Sequence, residues 1–328
     1  MSRYELLVGD CVESLRTLAD QSVHCCVTSP PYWNLRDYGV DGQIGLEPTP
    51  DDFIQKLLTV FREVRRVLRD DGTIWVNMGD NWDKNKQMMG MPWRLAFALQ
   101  ADGWYLRQDI IWHKTNPMPE SVRDRCTKAH EYVFLLSKSK RYYFDHAAIR
   151  EPAVYAGENR GVGFGHGTDR AERGRERVKA RDNFRREGSK RAQVIPGQNY
   201  GTHRADRADT VPDGTRAKRN VWSMATRAFK GAHFATFPPE LVEPCILAGC
   251  PVGGVVLDPF GGSGTTAGVA LAHGRDAVLC ELNPDYAALV PARIKNIAEL
   301  YARRQRNREQ GKLLSQCVEQ LLSRKGVA

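Results

Sequence analysis

The sequence predicts an α/β fold, a doubly wound and mostly parallel sheet with helices on both faces. Three observations support it. Short apolar strands alternate with amphipathic helices at both ends of the chain. Two of those strands run directly into loops of distinctive chemistry, one proline-rich and one glycine-rich. Between the alternating regions lies a basic, Gly-rich stretch with no steady hydrophobic period. At 328 residues and 41% hydrophobic, the chain is long enough for one large domain and a smaller one.

The elements follow in order. Residues 4–7 read as a short strand ended by Gly9 and Asp10. Asp10 is placed to cap a helix over 12–19, with Glu13 three residues on as in a capping box. VHCCVT at 23–28 is a buried strand. Phe53, Leu57, Phe61, Val64 and Leu68 recur at helical spacing, so 51–69 is a helix closed by Asp70, Asp71 and Gly72. A strand at 73–78, a helix at 92–101 and strands at 104–113 and 131–137 complete the first half. Alternation returns after residue 233, with a helix at 239–249, a strand at 255–258, a helix at 265–273 and a strand at 277–281. A further helix starts after Asn283, and residues 301–325 are charged and helix-prone. The tail arginines Arg303, Arg304, Arg306 and Arg308 read as a solvated helix face.

The net charge of +9 permits a polyanionic partner. It is concentrated: residues 150–219 hold 17 Lys and Arg against 10 Asp and Glu. That stretch is too poor in aliphatic side chains to build much core. It reads as a basic insertion, with a solvated linker as the alternative. None of the 8 cysteines forms a C-x-x-C pair, so no zinc site or disulfide framework is expected, and a reducing, cytoplasmic setting fits best. The N-terminus lacks a signal-peptide pattern, and no stretch approaches the ~20 apolar residues of a membrane helix.

The glycine-rich loop is VVLDPFGGSGTT. A buried strand ends in Asp258, Phe260 to Gly264 make the turn, and Thr265 opens a helix. Gly262 and Gly264 allow close backbone approach, and the helix start offers free N–H groups to a carboxylate. The next strand ends in Glu281, an acidic residue suited to the two hydroxyls of a ribose. The turn reads F-x-G-x-G rather than G-x-G-x-x-G, which disfavours a nicotinamide cofactor. The alternative is a strand–turn–helix whose glycines serve only tightness.

The proline-rich loop is Ser29-Pro30-Pro31-Tyr32, directly after the strand at 23–28. Two prolines fix φ and remove two N–H donors, leaving a rigid corner with outward carbonyls. Ser29 adds a hydroxyl acceptor and Tyr32 an aromatic face. These parts suit the amino group of cytosine or adenine, a poor nucleophile whose lone pair is delocalised into the ring. Accepting its two hydrogens on Ser29 Oγ and the Pro30 carbonyl would favour a pyramidal nitrogen, and Tyr32 would stack on an extruded base. A plain strand-terminating turn is the alternative reading.

Together the two loops resemble motifs IV and I of the amino-methylating DNA methyltransferases, and their order resembles the β class of that family. TSPPYW is most similar to the N4-cytosine members, since the N6-adenine members usually carry Asp or Asn where Ser29 stands. The resemblance covers roughly residues 1–150 and 233–300. It implies a seven-stranded sheet, circularly permuted, with residues 1–149 as the catalytic half, 150–232 as a basic target-recognition insertion, 233–300 as the cofactor half and 301–328 as a tail. It implies S-adenosylmethionine as cofactor, bound by Asp258, Phe260, Gly262, Gly264, Thr265 and Glu281. Asp10 matches the residue that contacts the cofactor's adenine, with helix capping as its other role. His233 to Pro238 resembles motif X and brings in Phe237, which also suits a core position. Residues 109–139 resemble the stretch that closes over the target base. Asn116, Pro117 and Arg123 there read as solvated loop residues. The implied partners are duplex DNA, no membrane, and a cognate restriction endonuclease acting on the same site, with the chain a monomer or a homodimer. The competing readings are N6-adenine methylation, methylation of RNA or a protein glutamine, and a decayed, non-catalytic DNA-binding protein.

Overall fold

A computed structural model describes residues 2–153, 214–226 and 237–325, with side chains through residue 310. The strands are β1 (Tyr4–Val8), β2 (Val23–Thr28), β3 (Leu68–Met78), β4 (Tyr105–Lys114), β5 (His130–Ser137), β6 (Glu151–Pro152), β7 (Thr215–Arg216), β8 (Val221–Met224), β9 (Val255–Asp258) and β10 (Asp276–Glu281). The helices are α1 (Cys11–Arg16), α2 (Pro50–Val67), α3 (Met91–Ala101), α4 (Pro239–Gly249), α5 (Thr265–Ala272), α6 (Pro284–Ala287) and α7 (Val290–Lys325).

The chain forms two compact units, one of residues 1–150 with 217–328 and one of residues 151–216. In the second unit, β6 and β7 pair antiparallel, and Arg216 Nε meets Glu151 Oε1 at 2.9 Å. The basic insertion expected over 150–232 lies largely outside the described residues. Its C-terminal part from Ala217 joins the first unit, because β8 pairs with β4 there.

The first unit is built on an 8-stranded sheet of order β1-β10-β9-β2-β3-β5-β4-β8. All pairings are parallel except those of β5, which runs against both β3 and β4. Each of the seven expected strands is present, and β8 is added at the edge. The strand after the glycine-rich insertion, β9, sits in the middle beside β2 from the N-terminal half, as a circular permutation requires. Helices cover both faces because the strands alternate apolar side chains. Cys26 of β2 and Val278 of β10 pack with Phe53, Leu57 and Phe61 of α2 on one face. Cys25 and Leu279 pack with Ile246 of α4 and Val269 of α5 on the other.

Two boundaries differ from the sequence pattern. Helix α2, capped by Thr49 Oγ1 accepting from Asp52 N at 3.1 Å, ends at Val67 rather than 69. Leu68 is already extended and pairs with Val23, while Cys25 pairs with Thr73, so residues 69–72 bulge from the ladder. The expected closing turn is therefore part of β3. The tail after 301 continues α7 without a break. Its Arg304 is not solvated as expected, because it pairs with Glu240 of α4 over the Tyr301 ring.

From β9 the chain leaves through α5 to β10, and from β2 through α2 to β3 on the opposite side. The connections diverge, so a crevice opens at the carboxyl ends of these two strands. Both distinctive loops emerge there. Among the described residues, no helix is long and apolar enough to cross a membrane.

Phe61 is 0% exposed within the α2 core. Phe61→Ala is expected to lower unfolding free energy by ~3–5 kcal/mol in chemical denaturation. A change within the range of surface substitutions would show that this face is not the packed core.

Candidate active site

The two loops are joined by one carboxylate. Asp258, 1% exposed at the end of β9, accepts from Thr28 Oγ1 at the end of β2 and from Thr266 Oγ1 in α5, both at 2.6 Å. It also accepts from Phe260 N at 3.1 Å. Burial raises its pKa to about 6, against the pull of these three donors. Asp258 does not border the cavity, and neither does Gly264. Gly264 has φ 89°, and a Cβ there would lie 2.9 Å from Val290 Cγ1, so it serves the turn and the seating of α5 on α7. Both residues were expected to bind the cofactor; in the structure they support the turn that carries Phe260, Gly262 and Thr265.

Above that brace lies a cavity of about 590 Å³. Ser29, Pro30, Pro31 and Tyr32 border it from β2, and Phe260, Gly262 and Thr265 from β9 and α5. Asp10, Phe237 and Glu281 also line it. The Glu281 carboxylate accepts from Gly262 N at 2.7 Å and Asn283 N at 2.9 Å, which fixes it at the rim of the glycine turn. Burial raises its pKa. Asp10 caps α1, its Oδ1 accepting from Val12 N and Glu13 N at 2.8 and 3.0 Å, and borders the cavity as well. The reciprocal half of the expected capping box is not made; Glu13 pairs with Arg16 instead. The remainder of the motif X stretch, residues 233–236, lies outside the described residues.

The cavity fits a polar ligand with an amino-acid end. Ser263 Oγ lines it, is buried, and meets no hydrogen-bond partner among the described residues. No side chain caps the start of α5, which leaves first-turn N–H groups to a ligand.

Sequence reasoning missed a second polar group. Tyr32 Oη donates to Glu131 Oε2 at 2.7 Å. Asn77 Nδ2 donates to Glu131 Oε2 at 2.7 Å and to Tyr32 Oη at 3.2 Å. Lys114 Nζ meets Glu131 Oε1 at 2.5 Å. Burial, then the Glu131 carboxylate, push the Tyr32 pKa well above its usual range, so the phenol stays protonated. Asn77, Lys114 and Glu131 all border the cavity, and Asn77 Oδ1 is buried there without a partner. The ring lies so close to β3 that a Cβ on Gly79 would stand 2.8 Å from Tyr32 Cε2. The available signal was polar residues at strand ends beside apolar runs, WHK and HEY, but only the β4–β5 register brings them together. Asn116 lies in an exposed loop, as expected, and also clamps Thr226: its Oδ1 accepts from Thr226 N at 2.7 Å and its Nδ2 donates to Thr226 O at 3.1 Å.

Comparison with known proteins agrees with this geometry. A family model described as DNA methylase, of the N6 and N4 methyltransferases, matches residues 23–291. The chain is 41% identical to the type II methyltransferase M.Cfr9I of Citrobacter freundii, over 88% of this chain and 87% of that one. It is 41% identical to M.SmaI of Serratia marcescens, over 88% of this chain and 90% of the other. In fold it is similar to the solved PvuII DNA methyltransferase (cytosine-N4-specific), with TM-score 0.62 and 19% identity over 92% of this chain and 93% of that one. A putative DNA modification methylase of Thermus thermophilus, solved with S-adenosyl-L-methionine, aligns with TM-score 0.55 and 25% identity over 90% and 96% of the chains.

The Asp258 brace has a pH signature. Its folded pKa of about 6 lies above the ordinary carboxylate value, so the folded chain keeps a proton that the unfolded chain releases first. The resulting stability is present below about pH 4 and is lost as pH rises through about 6. Asp258→Asn cannot titrate. Relative to wild type, its stability is expected to improve by ~1–3 kcal/mol between pH 4 and pH 7.5, read by urea denaturation. A pH-independent difference would contradict the raised pKa and show that the three donors fully offset burial.

Proposed function

The chain belongs to the DNA methylase family of N6 and N4 methyltransferases, and from that footing we propose that it methylates the exocyclic N4 amino group of cytosine in duplex DNA. It is a type II DNA methyltransferase, and its methyl donor is S-adenosylmethionine. When bound, the donor supplies an electrophilic sulfonium methyl group. Glu281 is suited to hold its ribose hydroxyls, Ser263 and the start of α5 its amino-acid end, and Asp10 its adenine.

The observation that carries the reading is the meeting of the Ser29–Tyr32 corner with the glycine loop in one cavity, over the shared Asp258 brace. Ser29 borders the cavity together with Tyr32, whose phenol is tied to Glu131. The Ser29 hydroxyl oxygen offers a lone pair to one amino hydrogen of the target base. The Pro30 carbonyl takes the second hydrogen. The nitrogen lone pair is thereby freed from the ring and aligned, and alignment supplies most of the rate. Bound S-adenosylmethionine would supply the methyl group to that nitrogen, and the proton the nitrogen loses would pass by way of Ser29 Oγ, which holds one amino hydrogen, to solvent. Tyr32, its phenol tied to Glu131 and Asn77, offers a fixed ring for stacking on the extruded base.

Ser29 supports cytosine over adenine. It is a neutral acceptor where the adenine-modifying members usually carry Asp or Asn. We assign target recognition to the basic insertion, whose surplus Lys and Arg suit phosphates and guanine edges. A reducing, cytoplasmic compartment suits this substrate.

Two outcomes test the reading. DNA modified by the enzyme, digested to nucleosides and analysed by mass spectrometry, is expected to contain N4-methylcytosine and no N6-methyladenine. N6-methyladenine would overturn the base assignment, and C5-methylcytosine would overturn the amino-group mechanism. Tyr32→Ala is expected to reduce methyl transfer roughly 10- to 100-fold with DNA affinity largely kept, as loss of base stacking implies. Wild-type turnover in that variant would make the corner purely structural.

A further inference from the structure

Met118 is 83% exposed, yet it lines the cavity. An apolar side chain left in water contributes nothing to the fold, and here the backbone that presents it is stiff. Pro117 and Pro119 flank it and fix φ on either side. Asn116 clamps Thr226 with hydrogen bonds in both directions. Beyond it, Glu120 pairs with Arg125 at 2.5 Å, and Arg125 lies 3.6 Å over the Trp82 ring. Lys86 ties Asp124 at 2.7 Å. Leu35, 52% exposed, is a second apolar side chain on the cavity rim, three residues past Tyr32. A braced loop thus holds a long, unbranched thioether at the mouth through which a target base must pass.

We propose that Met118 inserts into the DNA stack and fills the space vacated by the extruded base, with Leu35 packing beside it. The inference rests on the DNA-methylation reading above. A base pair that loses one member leaves a flat apolar slot. Methionine is flexible enough to fill an irregular gap, and apolar side chains between base steps are a known device of DNA-binding proteins. Bracing the loop lowers the ordering cost of insertion. The insertion favours the extruded state and does not touch the reacting atoms.

The test uses the full chain and the target site found by sequencing DNA that the wild type has modified. Two duplexes are compared, one with the target base normally paired and one with an abasic site opposite it. Met118→Ala is expected to lower kcat/KM on the paired duplex roughly 10- to 100-fold. On the abasic duplex, where no pair must be broken, it is expected to stay near wild type. Met118→Leu, which keeps an apolar side chain, is expected to retain most activity on both. Equal loss on the two duplexes, or no loss on either, would overturn the proposal, and unchanged S-adenosylmethionine binding would show that the variant is folded. Failure of the wild type to modify any DNA at the sequencing step overturns the enzymatic reading instead. An adenine product overturns only the base assignment and leaves this test in force.

Discussion

Asp258 accepts hydrogen bonds from three separate parts of the chain: Thr28 at the end of β2, Thr266 in α5, and the backbone of Phe260. β2 and β9 are neighbours in the sheet but about 230 residues apart in sequence. Sheet pairing alone aligns their backbones and leaves their loops free to splay. The carboxylate fixes both loops to one point, so the Ser29–Tyr32 corner and the glycine turn face the same cavity. A hydrogen bond to a buried charged group contributes ~1.5–3 kcal/mol, and a carboxylate stripped of such donors would be costly at 1% exposure. This explains an acidic residue that sits by the glycine turn yet does not border this cavity.

A second constraint acts at the Ser29–Tyr32 corner. The proposed stacking role needs Tyr32 to present a ring face while two prolines pin the backbone before it. Its phenol is anchored by Glu131, and Glu131 is in turn held by Lys114 and Asn77. The Lys114–Glu131 pair is partly shielded, at 22% and 13% side-chain exposure, and every oxygen of the carboxylate has a donor. Such a pair adds little net stability, since desolvation offsets attraction. Its effect is positional. Gly79 completes the arrangement by leaving room for the ring where any Cβ would collide.

What could be read from the sequence follows from which of these interactions are local. The strand order of apolar runs, the Ser29–Tyr32 corner and the Gly262 turn depend on neighbours within a few residues, so their residue types declare them. Glu131 and Lys114 were not legible as partners. Their pairing depends on β4 running antiparallel to β5 in one register, and a shift of one residue would turn Glu131 away from Tyr32. The same holds for β8, four residues at the sheet edge whose pairing with β4 is set by tertiary context. Asp258 was recognised as a key residue, but its donors Thr28 and Thr266 were not. An acidic residue before a glycine turn looks alike whether it faces ligand or core. Only burial decides, and burial depends on the distant Thr28. The end of α2 was misplaced for a related reason: Leu68 fits the helical period, but pairing with Val23 captures it for the sheet.

The permuted chain order has a consequence for how the site forms. Asp10, Ser29, Glu131, Glu281 and Phe237 converge on one cavity from opposite ends of the chain. None of the loops has its working geometry until β9 enters between β10 and β2, a pairing that closes a very long stretch of chain. Cavity and sheet centre are therefore one cooperative unit. A ligand that binds there binds only the fully paired sheet, and mass action adds its binding free energy to the stability of that pairing. The central pair β2–β9 is thus the element that brings the two loops to one cavity. Among the described residues, neither edge strand, β1 or β8, supplies a partner to the Asp258 brace or the Glu131 cluster.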